Sequence, residues 1–240
     1  MERDKCILLL DSSTDYCSVA LVSEEGKLIG SLEEEDRRRQ SERLALMAND
    51  LLQGHTLSAI CVAEGPGSYT GLRIAAGYAK GLAWSLGIPL YSISTTQLIC
   101  RSFLASHQES LGDSALLMPM IDARRMEVYT ALYSEEAHPE SHIEALILTD
   151  ESTQKELVER VGSQPLYYFG SGAAKAEELF SQWLPQSRLV ADIYPHAKDM
   201  APDALRLLRE GQPLDVAYWE PFYLKEYEAK KTKNKVLARL

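Results

Sequence analysis

The chain has 240 residues, 45% of them hydrophobic, and a formal net charge of -10. That length and composition are enough to bury one large or two small cores. The acidic balance argues against non-specific binding to nucleic acid or to an anionic membrane, both of which ask for a basic surface. The charge is segregated: Lys225, Lys230, Lys231, Lys233, Lys235 and Arg239 face only Glu226 and Glu228 in residues 225–240, so this stretch is about +4 and the rest about -14. Four cysteines (Cys6, Cys17, Cys61, Cys100) sit in apolar surroundings without a CxxC pair, which reads as buried reduced thiols. No stretch approaches the roughly 18 apolar residues of a spanning helix, and a cytoplasmic location is expected.

In chain order, Cys6 to Leu10 is a continuous apolar run of the kind a doubly covered strand shows, and it ends on Asp11-Ser12-Ser13-Thr14-Asp15. Asp11 there either caps its own turn or faces a cation or phosphate. Cys17 to Val22 and Lys27 to Glu35, with Glu25-Gly26 between them, complete a three-strand meander. Arg37-Arg38-Arg39 reads as a solvated run. Residues 40 to 53 read as a helix with Ser41 as N-cap and Gly54 beyond its end. Its apolar residues Leu44, Met47, Ala48, Leu51 and Leu52, widened by Ala45 and Leu46, cover more than one face, so part of that surface is expected to meet a partner.

Leu57 to Ala63 is a second buried strand and runs into Glu64-Gly65-Pro66-Gly67-Ser68-Tyr69-Thr70-Gly71-Leu72-Arg73. Glycine and proline at this density exclude regular structure in the loop, leave bare amides, and open a helix with Thr70 as its expected N-cap. An anion site at a helix N-terminus and a purely structural turn both fit. The helix, expected over Ile74 to Leu86, carries Gly77 and Gly81 with Ala76 and Ala83 beside them. Each interior glycine costs about 1 kcal/mol relative to alanine, a cost that close approach of another helix offsets. Leu90 to Ile93 is a strand, and Ser94-Thr95-Thr96-Gln97 opens a helix to about Ala105.

The polar residues 108–113 mark the expected boundary between two lobes. Beyond it, Ala115 to Ile121 and Glu127 to Tyr133 read as strands around Asp122-Ala123-Arg124-Arg125, a charged turn that fits a self-paired surface feature and a site equally. Ile143 to Leu148 is a strand, Thr153-Gln154-Lys155-Glu156 caps a short helix to Val161, and Leu166 to Phe169 runs into Gly170-Ser171-Gly172, a weak phosphate signal. Ala197 to Glu210 is helical with Gly211 past its end, and Glu220 to Leu224 is extended. The tail lacks a periodic apolar face and is expected to be disordered without a partner. The lobes fall at 1–107 and 108–195, with 196–224 packing back on them. Two units of related strand-helix order are the pattern of an actin-like (ASKHA) α/β fold with mixed sheets.

The glycine stretch resembles the GPGSFTGLR signature of the TsaB (YeaZ) family of tRNA threonylcarbamoyladenosine proteins. Leu8 to Thr14 with Ser18 to Leu21 resembles its opening LALDTST…CSVAL. Ser41 to Leu44 resembles HSERL, Gly87 to Leu90 resembles GIPL, and Ile121 to Tyr129 resembles IDARRGEVY; weaker likeness follows at Gly170 to Ala173 and Pro221 to Leu224. The resemblance implies a non-catalytic partner of a TsaD-type paralogue, with the TsaE ATPase also in the complex, tRNA met indirectly, and a homodimer when alone. It places ATP and metal on TsaD and gives this chain no cofactor of its own, no catalytic residue and no metal ligand. Gln40 stands where such proteins commonly keep a His, and the one HxxxH spacing, His138 to His142, straddles Pro139 in an expected loop, which breaks helical i, i+4 geometry. The expected partner face comprises Leu44, Met47, Leu51, Arg73, Ala76, Gly77, Lys80 and Gly81, with Gly65, Gly67, Ser68, Thr70 and Gly71 forming the loop beside it. The competing class is an independent ATP-using enzyme of the actin-like superfamily with Asp11 at its nucleotide. A second acid facing the glycine loop would discriminate the two, and none is evident.

Overall fold

A computed structural model describes residues 5–35, 40–107, 111 and 114–225, with the side chains of residues 40 and 41 excepted. The Arg37-Arg38-Arg39 run, the Ser41 cap, most of the 108–113 boundary and the 226–240 tail lie outside the described residues. Strands β1 (Lys5–Asp11), β2 (Cys17–Ser23) and β3 (Leu28–Glu34) form an antiparallel meander. After α1 (Gln40–Leu52), β4 (Thr56–Ala63) returns parallel to β1; after α2 (Tyr69–Leu86), β5 (Leu90–Ile93) adds parallel to β4. The order is β3-β2-β1-β4-β5.

Helix α3 (Thr95–His107) leads to the second sheet, made of β6 (Leu116–Asp122), β7 (Glu127–Thr130), β8 (Glu144–Ile147), β9 (Leu166–Phe169) and β10 (Ser187–Val190). Here α4 (Glu151–Val161) precedes β9 and α5 (Glu177–Trp183) precedes β10. The order β8-β7-β6-β9-β10 repeats the first sheet element for element, antiparallel meander and parallel pair alike.

The apolar run of β1 is continuous because both its faces are covered. Cys6, Leu8 and Leu10 pack under α1 and α2 with Leu44, Met47, Ala75 and Ala79, whereas Ile7 and Leu9 face Leu98, Ala197, Met200 and Ala204. Helix α3 serves both sheets: Leu98 belongs to the first core, and Ile99, Cys100 and Phe103 join Leu117, Tyr133 and Phe169 in the second. Phe103 lies face to face with Phe169 at 4.3 Å, and burying such a ring contributes about 1.5–3 kcal/mol.

Several expected boundaries move. Helix α2 begins at Tyr69, not Ile74, and its N-cap is Ser68, whose hydroxyl accepts from the Gly71 amide at 3.3 Å; Thr70 lies inside the first turn. Asp150, not Thr153, caps α4. The 197–210 helix is a 3-10 turn, Ala197–Met200, followed by α6 (Ala201–Glu210). Asp203 on α6 is buried and accepts from Arg101 and Gln97 of α3, tying the end of the chain to the inter-lobe helix.

Past Gly211 the chain runs as an extended strap over the first lobe. The Leu214 amide donates to Leu90 O (2.9 Å), Lys80 Nζ donates to Trp219 O (2.7 Å), and the Phe222 amide donates to Glu64 O (2.7 Å).

Candidate functional site

The two sheets carry matching features at the ends of their central strands. Strand β1 ends on Asp11, whose Oδ1 accepts the Ser13 amide at 3.0 Å; β6 ends on Asp122, whose Oδ1 accepts the Arg124 amide at 2.5 Å. Beside each turn lies a glycine loop from the next parallel strand: Gly65-Pro66-Gly67 after β4 and Gly170-Ser171-Gly172 after β9. This is where open α/β sheets bind ligands, outside the carboxyl ends of the strands.

In the first lobe that space is filled by the chain itself. The Ser68 amide donates to Ser13 O at 2.7 Å, Ser12 Oγ donates to Gly71 O at 2.7 Å, and the Gly71 amide is held by Ser68. A Cβ at Gly67 would stand 2.1 Å from Ser13 O. Gly65, at φ +117°, has its carbonyl held by the Thr95 amide, and a Cβ there would meet Phe222 O of the strap at 2.4 Å. The peptide bond between Gly65 and Pro66 is cis. Thus Gly67 is required for close approach and Gly65 for both its φ and the strap above it.

Asp11, the nucleotide candidate, is 0% exposed. Burial pushes its carboxyl from 3.8 up to about 6, partly opposed by the Ser13 hydroxyl and amide. Its Oδ2, with Ser13 Oγ and Thr95 Oγ1, finds no hydrogen-bond partner among the described residues. The Ser13 hydroxyl lies close enough to lower the carboxyl's pKa without reaching hydrogen-bond geometry. A carboxylate so enclosed does not face solvent. A cleft of about 610 Å³ opens elsewhere, lined by Arg101, Glu136, His138, Lys198 and Asp199 among others; neither Asp11 nor the glycine loop contributes to it.

The second-lobe turn is open. Asp122 pairs with Lys175 (2.5 Å), and the Asp122 amide donates to Ser171 Oγ (3.1 Å). Arg124 and Arg125 both adopt positive φ, 73° and 49°, at an exposed tip. Lys225, at the end of the strap, pairs with Glu127 at the foot of this hairpin, so the strap joins the lobes. On the first-lobe side, the Tyr223 ring packs tilted against Tyr69 with centroids 5.0 Å apart, and Arg73 donates to the Tyr69 hydroxyl at 3.0 Å. The strap's path depends on tertiary contacts of single residues, which no local pattern reports.

The residues expected at a partner face separate into three groups. Leu44 and Met47 are buried in the first core and Ala76 is buried as well, so none of the three presents a surface outward. Leu51 packs against that core and lies against Gly30 of β3, and Lys80 holds the strap. Arg73, Gly77 and Gly81 are exposed, and nothing lies within 4 Å of a Cβ built on either glycine. The close approach expected at the glycines is therefore not made among the described residues. The same stripe of α2 ends in Trp84, 75% exposed, and α1 presents Leu46, which the buried stripe of that helix left for solvent.

The four cysteines are buried thiols that form no disulfide; burial pushes Cys17 up to about 12. Among the described residues no group of three or more His, Cys, Asp or Glu is placed to hold a metal, and no helix is long and apolar enough to cross a membrane.

A repeated meander-plus-βαβ sheet, with a glycine loop at each central strand end, defines a two-lobed actin-like α/β protein. Residues 34–231 match the family model described as TsaD: tRNA N6-adenosine threonylcarbamoyltransferase. Among curated proteins, the chain is 28% identical to the tRNA threonylcarbamoyladenosine biosynthesis protein TsaB of Bacillus subtilis, with 93% of this chain and 95% of that protein covered. It is 29% identical to TsaB of Escherichia coli, with 91% and 94% covered. A Pseudomonas aeruginosa crystal structure described as similar to peptidase YEAZ superposes with a TM-score of 0.74 at 26% identity, covering 92% of this chain and 100% of that one. The chain belongs to the TsaB (YeaZ) family.

Proposed function

We propose that this protein is a non-catalytic subunit of the machinery that places a threonylcarbamoyl group on tRNA adenosine, docking on a TsaD-type paralogue that carries the ATP and metal. The role in tRNA threonylcarbamoyladenosine biosynthesis follows from the TsaB relatives, which carry that name. The observation that carries the non-catalytic reading is the closed first-lobe loop. The Ser68 amide is spent on Ser13 O, the Gly71 amide on Ser68, and Asp11 is sealed beneath them, so the groups that would hold a phosphate and its cation serve the fold.

Docking rests on the exposed Arg73, Gly77, Gly81 and Trp84 stripe of α2 with Leu46 of α1. Two glycines at helical spacing leave a shallow seat for an incoming helix, and an exposed Trp beside it is a typical interface anchor. In the absence of the paralogue, the same face pairs two copies of this chain.

Gly77→Glu tests this reading cleanly, because open space around the position lets the fold accept the side chain. The variant is expected to melt with the wild type, yet to lose homodimer and TsaD-type complex in native mass measurements, since a charge would be buried at the contact. Retention of both assemblies by a folded Gly77→Glu protein would overturn this docking face.

A further inference from the structure

We infer that the cleft where the two lobes meet is a binding site for a small zwitterion of the amino-acid class, one that carries a carboxylate and an ammonium group together. Such a site adds to the role in tRNA modification and uses no residue of the α2 docking face.

The cleft, of about 610 Å³, lies within the size range of small-molecule sites and is built from three elements. Helix α3 supplies Arg101 and Leu104, the second-lobe turn at 134–138 supplies Glu135 and Glu136, and the 3-10 turn before α6 supplies Lys198 and Asp199. Leu104 belongs to the second core and Met200 of that 3-10 turn to the first, so a ligand here touches both lobes.

Two cations in the cleft hold donors in reserve. Of the five N–H groups of Arg101, Nε and Nη2 donate to Asp203 (2.8 and 3.2 Å) and Nη1 donates to Glu136 O (3.0 Å). Two are left without a partner among the described residues, and the buried Asp203 carboxylate holds the guanidinium that carries them in place. Lys198 is exposed and makes no hydrogen bond or ion pair among the described residues. A guanidinium and an ammonium with unspent donors fit one carboxylate.

Acceptors for an ammonium share the same space. Glu135 has no partner among the described residues, and the Glu136 carboxylate reaches only His138, at 3.5 Å. The turn that carries them is fixed: the Ser134 hydroxyl accepts the Glu136 and His138 amides (3.3 and 3.2 Å), and Ala137, at φ 60°, is anchored in the second core. A simple anion would meet Glu135 and Asp199, and a simple amine would meet Lys198, so a ligand of one sign leaves the other set of charges unmatched. A free amino acid and a short peptide both carry the required pair, and the volume admits either.

The test titrates L-threonine, the amino acid that a threonylcarbamoyl group contains, and separately triglycine into the full chain, following the backbone amide resonances of Ala137 and Lys198. At least one probe should give saturable shifts at both amides with half-saturation at about 1 mM, and which one does so separates a free amino acid from a peptide as the source. Acetate and ethylamine, each with one charge of the pair, should not saturate the site at the same concentrations. Lys198→Gln and Glu135→Gln, at exposed positions, should each keep the wild-type melting temperature and weaken binding about tenfold through loss of one charge-assisted contact. Absence of saturable shifts with both probes overturns the proposal. Saturation by acetate or ethylamine alone also overturns it, because the site would then read a single charge. Wild-type affinity in both variants overturns it as well, by placing the ligand elsewhere.

Discussion

Replacing Gly67 with Val is expected to cost more than about 4 kcal/mol and to lower the melting temperature by about 10 °C or more. The new Cβ would meet Ser13 O at 2.1 Å and Ser13 C at 3.0 Å, and neither atom can retreat. The Ser13 carbonyl accepts the Ser68 amide, and the Ser13 amide is fixed to Asp11 Oδ1. Relief requires pulling the glycine loop off the β1–β2 turn, which also frees Ser12 Oγ from Gly71 O. Ser68→Ala provides the contrast. It removes one N-cap bond of 3.3 Å, worth about 1 kcal/mol, or about 2–4 °C in a chain of this size. Thermal and denaturant unfolding of both variants checks the ordering; equal losses would mean that the loop is not packed on the turn.

Asp11→Asn is expected to raise stability at neutral pH and to leave it unchanged in acid. Burial lifts the Asp11 pKa from 3.8 to about 6, so between those values the folded chain binds more proton than the unfolded chain. Stability from this group is therefore fully present below about pH 4 and is lost as pH rises through about 6. Above that, a buried ionised carboxyl with an unpartnered Oδ2 remains, at a cost of about 3 kcal/mol. Asn keeps the acceptor for the Ser13 amide without the charge, at the expense of one poorly satisfied N–H. A net gain of about 1–3 kcal/mol at pH 8, shrinking towards zero near pH 4, is the expected result of urea unfolding across pH. A variant less stable than wild type at pH 8 would show that the Asp11 charge has a partner.

Much of the architecture is legible in the residues. The uninterrupted Cys6–Leu10 run signals a strand covered on both faces, and the glycine loop at 65–67 signals a tight turn between a strand and a helix. Leu44 and Met47 drop out of the expected partner face for a physical reason: they lie on the side of an over-wide apolar helix that packs on its own sheet, and sequence cannot say which part of such a circumference that sheet covers. Leu46, on the other side, is the residue left exposed. Ser68 rather than Thr70 is the N-cap because the structure takes Gly71 into the first turn, where its amide is the one capped. At Gly67 the demand is close contact with Ser13 O, while positive φ belongs to Gly65. Positive φ at Arg124 and Arg125 breaks residue preference and so leaves no local signature.

The central claim, that the chain supports threonylcarbamoyl transfer without chemistry of its own, is tested most directly by reconstituting tRNA modification from purified components with the Asp11→Asn chain. Modified tRNA is expected at the wild-type rate with Asp11→Asn, and none when the chain is omitted. Loss of modification by an Asp11→Asn chain that still folds and still assembles with its paralogue would contradict it.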